Sequence, residues 1–552
     1  MTLVYFILFI GPLIFVHELG HFLFAKLFDV KVLKFSLGFG RRALGFRRGE
    51  TEYCVAWVPL GGYVKMLGED PNDEIRPEDQ GRALNQKPLW QRYIVVLAGP
   101  TFNLIFPIII YFAFYAGQTH LDPAVVGRVL SGRPAAEAGL RPGDRIVAIN
   151  GEEVYYWGSM RDLIADHAGE SLRFTIERDA QRFDRFITPQ MQVVTNRLNM
   201  TRREGQIGIS QAYNLALVGI SGDDTPAHRG GLQTGDLVTS VNGQPVERWD
   251  QLKRVLDRNR GQSLSISYLR PRRMMTPIEL QVMRPMVTVV DPEARTVQGK
   301  MVYDTGLQSA EFFVREVEPG SPSARIGIRV GDRIDGFDGQ AVTHWGLIEL
   351  ALATRLKERK LDEVPHRISW VRPDGTQGHG KFKLARTTWI DEYHMEQERY
   401  VFGAHNYYIG KTADPIPIRG RFTYAISAAV EQTWDTVAMM AVVVVQIFRG
   451  SISKDTIGGP LMLAYTARAA AEKGWDQFLF MLALISINPG ILNLLPIPIL
   501  DGGHILFFTI EAARRKPLSL RARETASYVG LVLILSLLIL AFRNDIVRYW
   551  FK

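Results

Sequence analysis

Apolar residues in this chain are gathered into four long runs, and mostly polar sequence separates them. The runs cover residues 3–24, 93–115, 478–510 and 526–542, and prolines and glycines interrupt the third. Each run is long enough to cross the hydrocarbon core of a bilayer, which takes about 20 residues of α-helix. A further run at residues 437–448 is shorter. The pattern therefore predicts a polytopic α-helical membrane protein with four transmembrane helices.

Lysine and arginine are concentrated in two of the loops beside these runs. Basic loops stay on the cytoplasmic side of a membrane, so both loops are predicted to lie inside, with both termini and the section after Tyr115 outside. A crossing at residues 437–448 would move the second loop outside, so this segment is predicted to lie on the outer surface as an amphipathic helix. The basic residues are Lys26, Lys31, Lys34, Arg41, Arg42, Arg47, Arg48, Lys65, Arg76, Arg82, Lys87 and Arg92 in the first loop, and Arg514, Arg515, Lys516, Arg521 and Arg523 in the second.

Two features of the composition narrow the possible functions. The net charge is +8 over 552 residues. Its concentration beside the apolar runs fits membrane orientation better than nucleic-acid binding. Cys54 is the only cysteine, so the chain can form neither an internal disulfide nor a zinc site made of cysteine ligands.

The first apolar run contains one acidic residue, Glu18, within the sequence His17-Glu18-Leu19-Gly20-His21. An ionisable side chain in a transmembrane helix costs about 2.5–3.5 kcal/mol even on lenient insertion scales, so its presence points to a function. His17 and His21 are one helical turn apart and can share a zinc ion, while Glu18 is placed to take a proton from metal-bound water. The alternatives are a chance motif or a cleaved signal peptide, but the apolar region of a signal peptide does not carry these residues.

A zinc ion held by two histidines needs a further protein ligand, and the third apolar run offers two candidates. Asp501 lies at a depth comparable to that of the histidines and is the first candidate, and His504 is the second. The alternative role of Asp501 is that of a turn residue in an Asp-Gly-Gly sequence.

The sequence before Asp501 predicts a broken helix. Pro496 and Pro498 cannot continue a regular helix, and unwound backbone at membrane depth must line protein or a water-filled cavity. Peptide hydrolysis needs water at that depth. Asn493 is predicted either to hydrogen-bond a substrate backbone or to cap its own broken helix, and Pro496 and Pro498 are candidate substrate-binding residues beside it.

The loop after the first run is predicted to contain strands at residues 35–40 and Thr51–Met66. The second strand is predicted to fold into a hairpin around a turn at residues 59–62. A membrane-associated β-hairpin near the zinc would offer a sheet edge that holds an unwound substrate; the alternative is a packing role alone. The candidate substrate-binding residues of this loop are Gly38, Phe39, Gly40, Gly61, Gly62 and Tyr63.

Between the second and third runs, one pattern occurs three times. Pro134, Pro226 and Pro322 each begin a short helical segment that reaches a Gly-Asp pair, followed by a strand and an Asn-Gly or Asp-Gly turn. The copies begin 92 and 96 residues apart, which is the size of a domain.

The repeated pattern resembles PDZ domains of the circularly permuted bacterial kind. It predicts an extramembrane α+β module of tandem PDZ-like domains at residues 122–202, 203–290 and 300–402. PDZ domains bind extended peptide ends by strand addition at a sheet edge. The alternative is that these copies act as spacers or filters and bind no peptide.

The motifs together resemble the site-2 protease family of intramembrane zinc metalloproteases, in the branch of the bacterial regulators of sigma-E. The paired His-Glu-x-x-His and Leu-Asp-Gly motifs are the most specific part of the resemblance. The matching segments are residues 17–21, 35–40, 61–66, 98–100, 459–460 and 493–502. On this basis the remaining chain divides into an N-terminal membrane part at residues 1–121, surface amphipathic helices at 415–475 and a C-terminal membrane part at 476–552.

The resemblance implies a zinc protease of the bacterial inner membrane, with its active site toward the cytoplasm and the PDZ-like copies in the periplasm. It implies single-span membrane substrates already trimmed by an upstream site-1 type protease, such as anti-sigma factors in envelope stress signalling and remnant signal peptides. The implied partners are these substrates, the upstream protease and the lipid bilayer, without nucleic acid.

One departure from the family and one rival function remain. Members of this branch usually carry two PDZ copies, whereas this chain has three copies of the pattern, which leaves its substrate range open.

The rival function is that of a non-enzymatic membrane scaffold whose PDZ-like domains bind periplasmic partners. A complete zinc-binding motif with a matching Asp501 argues against the scaffold.

Overall fold

The chain folds into two compact units. The computed structural model describes residues 1–70, 73–195, 201–271, 283–297, 300–342, 345–346, 348, 364–390, 396–407, 410–450, 457–516 and 518–550. The first unit comprises Met1–Thr119, Ile390–Glu396 and Ile418–Lys552, and the second comprises His120–Trp389 and Gln397–Pro417.

The first unit is mainly helical. Among the described residues of this unit, five helices are long and apolar enough to cross a membrane, judged by length and composition: Thr2–Leu27, Leu89–Gly117, Arg421–Ile447, Trp475–Asn493 and Leu520–Trp550. The α-helices described in this unit are α1 (Thr2–Leu27), α2 (Leu89–Gly117), α3 (Arg421–Phe448), α4 (Pro460–Lys473), α5 (Trp475–Asn493), α6 (Asp501–Arg514) and α7 (Leu520–Trp550), with short 3-10 turns at Pro77–Asp79 and Leu84–Gln86.

The segment predicted as a short helix at residues 437–448 is instead the second half of the 28-residue helix α3. Ala425 and Ala429 on α3 are fully buried, and Ala429 packs with Tyr111 of α2. Glu431 and Asp435 are exposed, so they stand on the outer face of one amphipathic helix and do not end it. The number of crossings therefore stays a prediction.

The third apolar run is broken, as predicted, and the break comes after Pro489, the first proline of the run. Pro489 lies inside α5, which continues to Asn493. The next helix, α6, starts at Asp501. Residues 494–500 between them are not helical.

Two pairs of helix ends in the first unit are joined by hydrogen bonds. Nε of Arg421, at the start of α3, donates to the carbonyl of Ala116 near the end of α2. The buried carboxylate of Asp545, near the end of α7, accepts from the backbone N–H groups of Gly459 and Leu461 at 2.9 Å each. The chain thus starts α3 beside the end of α2, and α4 starts beside the end of α7.

We predict the sidedness of these ends from the two basic loops. In a Cys54→Ala background, a cysteine at Arg521 is expected to resist an impermeant thiol reagent in intact cells, whereas one at Gly450 is expected to react. Permeabilised cells are the control, because both positions are exposed there. Labelling at 521 without labelling at 450 would overturn the topology.

The loop after α1 forms a sheet from β1 (Val32–Arg48) and β2 (Thr51–Met66). Phe35 of β1 pairs with both Tyr53 and Val64, and Leu37 pairs with both Val55 and Gly62. Residues 34–37 therefore lie between the two halves of β2, and the predicted hairpin within 51–66 is wrong. The bend at 59–62 carries β2 from one side of β1 to the other, helped by the positive φ of Gly61.

The turn between β1 and β2 is tied to the end of α1 by an ionic cluster. Glu50 accepts hydrogen bonds from Lys26 at 2.7 Å and from Arg82 at 2.9 Å. The hydrogen bond from Arg82, helped by that from Lys26, lowers the pKa of Glu50 to about 2. The carboxylate thereby fixes the sheet beside the helix that carries the two histidines.

This cluster predicts a pH-dependent stability. A carboxyl whose folded-state pKa is depressed stabilises the fold fully above its unfolded pKa of about 4.3, and the effect is lost as the pH falls toward 2. Glu50→Gln is therefore expected to lower the melting temperature at pH 7 and to differ less from wild type at pH 3. Glu52→Gln, beside the more exposed Arg42, is the control. Equal destabilisation by Glu50→Gln at both pH values would contradict the assignment.

The second unit repeats one four-stranded antiparallel sheet three times, and each sheet has its own hydrophobic core. In the first two copies the aspartate of the Gly-Asp pair is buried and binds an arginine at the end of the third strand in the order of the sheet: Asp144 binds Arg178, the last residue of that strand, and Asp236 binds Arg270, which directly follows it. In sheet order the strands are Glu152–Glu153, Arg145–Ile149, Leu172–Arg178 and Gln181–Ile187; then Gln244–Pro245, Leu237–Val241, Leu264–Leu269 and Met286–Val290; then Gln340–Ala341, Arg333–Phe337, His366–Val371 and Gln377–Phe382.

Each copy is closed by a late strand that pairs with its first strand. Ile209–Ser210 pairs with Arg128–Val129, and the equivalent pairs follow in copies two and three. The first copy thus extends past the predicted boundary at residue 202, the second past 290 and the third past 402. The remaining pairs are Val218–Ile220 with Leu307–Ser309 and Val314–Val317 with Ala404–Asn406. The assignment to the PDZ fold stays a prediction.

Candidate functional site

The site lies where α1 and α2 pass unusually close to each other. A Cβ atom at Gly20 of α1 would overlap the carbonyl of Ala98 on α2. A Cβ atom at Gly99 of α2 would overlap the imidazole of His21. The absence of both side chains lets His21 occupy the space between the helices, where it is 7% exposed.

Three predicted ligand atoms converge at this crossing. Nε2 of His17 lies 3.3 Å from Oδ2 of Asp501. Nε2 of His21 lies 3.5 Å from Oδ1 of Asp501. The two Nε2 atoms are 3.3 Å apart, and one ligand atom from each of the three residues lies within 4.8 Å of the others. His504 is not in this cluster, and its ring lies beside Phe507.

The break before α6 brings Asp501 to the histidines. Because residues 494–500 are not helical, α6 restarts with Asp501 as its first residue. A Cβ at Gly502 would overlap the carbonyl of Leu495, and one at Gly503 would overlap that of Ile497. The two glycines therefore let the unwound segment fold tightly against the start of α6.

Glu18 is buried beside the histidines, with 7% of its surface exposed. Gly62 of β2 lies against it, because a Cβ built at Gly62 would be 3.0 Å from Cγ of Glu18. Nδ2 of Asn493, the last residue of α5, lies 3.3 Å from Nε2 of His17. A helix, a strand and a broken helix thus meet at the same point.

A cavity of about 1340 Å³ opens at this cluster. It is lined by the three clustered residues and Glu18, by Asn493, and by the predicted sheet residues Phe39, Gly61, Gly62 and Tyr63. Of the other predicted residues, Gly38, Gly40, Pro496 and Pro498 do not line the cavity. Burial raises the pKa of Glu69, a loop residue that also lines it.

Two contacts from α2, neither of them predicted from the sequence, hold the histidine rings. Nδ1 of His21 donates to the carbonyl of Val95 at 2.9 Å. Nδ1 of His17 lies 3.2 Å from the side-chain amide of Asn103. A backbone carbonyl leaves no signal in sequence, but Asn103 is a polar residue inside the second apolar run and could have been found as such.

The donor set fits a zinc ion. Two imidazole nitrogens and one carboxylate oxygen are the ligands of catalytic zinc sites, which keep a fourth position open for water. The Val95 carbonyl fixes the proton of His21 on Nδ1, so Nε2 presents its lone pair to the cluster. Lone pairs this close together are favourable only around a cation or with shared protons.

Comparison with known proteins decides the family. Residues 5–537 match Peptidase family M50. The chain belongs to this family. It is 29% identical to the regulator of sigma-E protease RseP of Escherichia coli K12, with 98% of each chain covered. It is likewise 29% identical, with 98% of each chain covered, to a Vibrio cholerae protein whose name places it among the zinc metalloproteases. The RseP of a Salmonella typhimurium strain is 28% identical over 98% of each chain.

Membership of the M50 family makes this chain a zinc-dependent peptidase embedded in a membrane. The resemblance to site-2 proteases of the sigma-E branch is confirmed. The zinc cofactor and the enzymatic activity are confirmed with it, since the family is zinc-dependent. A function as a non-enzymatic scaffold is therefore set aside.

The helix crossing of this M50 peptidase predicts the effect of one added methyl group. Gly99→Ala is expected to push His21 out of the cluster, to lower the bound zinc per chain, and to cost about 1–3 kcal/mol of stability through overpacking. Gly117→Ala, also on α2, meets nothing within 4 Å and is the control. Zinc content and melting temperature are measured on both; a fully zinc-loaded Gly99→Ala protein would show that the close approach is dispensable.

Proposed function

We propose that this M50 peptidase is an intramembrane endopeptidase that hydrolyses peptide bonds in or near the transmembrane segment of single-span membrane proteins. The observation that carries the proposal is the meeting of His17, His21 and Asp501 beside Glu18. These residues lie within or next to helices that are long and apolar enough to cross a membrane. Ionisable groups are costly in a membrane, so their presence there points to a function.

We assign the zinc ion to His17, His21 and Asp501. When bound, it polarises the scissile carbonyl and lowers the pKa of water at the site. Glu18 takes a proton from the attacking water on a carboxylate oxygen and gives it to the leaving amide nitrogen. Its burial against Gly62 keeps the carboxylate beside the reacting groups.

The sheet beside Glu18 supports binding of an extended substrate. Residues 62–65 of β2 pair with 34–37 on one side only, and no described strand pairs with their other edge. A transmembrane helix must unwind before cleavage, and strand addition to such an edge would hold it extended. Phe39, Gly61, Gly62 and Tyr63 are assigned to this binding surface, and Asn493 to a hydrogen bond with the substrate backbone.

The relatives suggest the biological setting. Two of them are named regulators of sigma-E, so we propose an anti-sigma factor type substrate in envelope stress signalling, trimmed first by a site-1 type protease, with remnant signal peptides as further substrates. The two basic loops support a location in the bacterial inner membrane, with the active site toward the cytoplasm and the repeated sheets in the periplasm.

The proposed role of Glu18 predicts a separation of metal binding from catalysis. Glu18→Gln is expected to keep the zinc and the fold but to lower cleavage of a model single-span substrate by about 10²–10⁴-fold, the usual contribution of a general acid–base. Glu524→Gln, which removes another carboxylate from the cavity lining, should cleave normally. Near wild-type cleavage by Glu18→Gln would exclude the mechanism.

The third ligand is tested by zinc content. Asp501→Asn is expected to lower the zinc bound per chain, because a neutral amide is a poor ligand compared with a carboxylate. His504→Ala, which changes a residue outside the cluster, should keep about one zinc. The reverse result would transfer the role of third ligand to His504.

A further inference from the structure

The side chain of Asn103 on α2 reaches Nδ1 of His17, the ring nitrogen that faces away from Asp501. The residue is one helical turn beyond Gly99 and is 1% exposed. Its side-chain amide lies 3.2 Å from Nδ1 of His17. Side chains tilt toward the N-terminal end of their helix, so that of Asn103 extends back toward the gap at Gly99.

The cluster determines which ring nitrogen of His17 must carry the proton. Nε2 faces Asp501 at 3.3 Å, so a zinc ion held there takes the Nε2 lone pair. A neutral imidazole then carries its proton on Nδ1, which becomes a donor. His21 already shows this arrangement, because its Nδ1 meets the carbonyl of Val95, which can only accept.

No other described contact fixes the orientation of the Asn103 amide. When its nitrogen faces His17, its buried Oδ1 has no hydrogen-bond partner among the described residues. The two ends of a carboxamide have nearly the same shape, so the group can turn over in place. The tautomer of His17 therefore decides which end of the amide faces it.

We propose that Asn103 is a positioning residue whose side-chain oxygen accepts a hydrogen bond from Nδ1–H of His17 when zinc is bound. The proposal rests on the assignment of zinc to His17. Helix α2 then orients both histidines, His21 through the Val95 carbonyl and His17 through Asn103. Such a partner fixes the ring and raises the basicity of its ligand nitrogen.

The test compares variants at Asn103 that differ in their ability to accept a hydrogen bond. The zinc dissociation constant of the full-length protein in detergent is measured by competition with a chromophoric chelator. Asn103→Leu has a similar volume but no acceptor, and is expected to bind zinc about 10–100-fold more weakly. Asn103→Asp accepts through either oxygen and is expected to bind zinc at least as tightly as wild type. Ser486→Ala removes only the hydrogen bond to the backbone carbonyl of Asn103, and should leave zinc affinity unchanged.

The absorption spectrum of the cobalt-substituted protein gives a second readout that packing alone would not move. Asn103→Asp should keep the wild-type bands, whereas Asn103→Leu should shift them. Equal loss of zinc affinity in the Leu and Asp variants, or no loss in either, would overturn the proposal. If Asn103→Leu does not fold, the zinc affinity of Asn103→Asp decides alone. An affinity clearly below that of wild type would then overturn the proposal. A wild-type protein that binds no zinc would overturn the proposed function itself, and this proposal with it.

Discussion

The close approach of α1 and α2 at Gly20 and Gly99 is the constraint on which the site depends. Because neither glycine has a side chain, the imidazole of His21 fills the gap between the helices. Its Nδ1 donates a hydrogen bond to the Val95 carbonyl. His21 is therefore held on several sides before any metal binds. A ligand placed in this way loses little freedom on binding, which is how preorganised metal sites gain affinity.

Burial makes this arrangement costly without a cation. Two histidines, Glu18 and Asp501 share a region removed from most of the solvent. Carboxylates and ring nitrogens at such distances repel each other or compete for protons unless a positive charge lies among them. The same burial that would destabilise an empty cluster would strengthen its attraction for a cation.

The pairing of the strands after α1 shows that local sequence signals predict strands and bends but not which strands pair. The predicted strands and the Gly-Gly bend are confirmed as local features, but the hairpin that they predict is wrong. Residues 34–37 enter between the two halves of β2. Strand pairing depends on which segments the fold brings together, and turn residues report only that the chain changes direction.

The sequence by itself determined the apolar helices, the three repeats and the His-Glu-x-x-His motif, because these rest on local composition and on short spacings along one helix. Only the tertiary structure decided that Asp501 and not His504 joins the histidines, since both stand at the start of the same helix and the fold of residues 494–500 chooses between them. It also extended α3 backward to Arg421, because burial of Ala429 against Tyr111 of α2 outweighs the polar residues between it and the apolar run. The contacts of Val95 and Asn103 with the histidine rings belong to the tertiary structure as well, because residues from a second helix meet them only after the chain has folded.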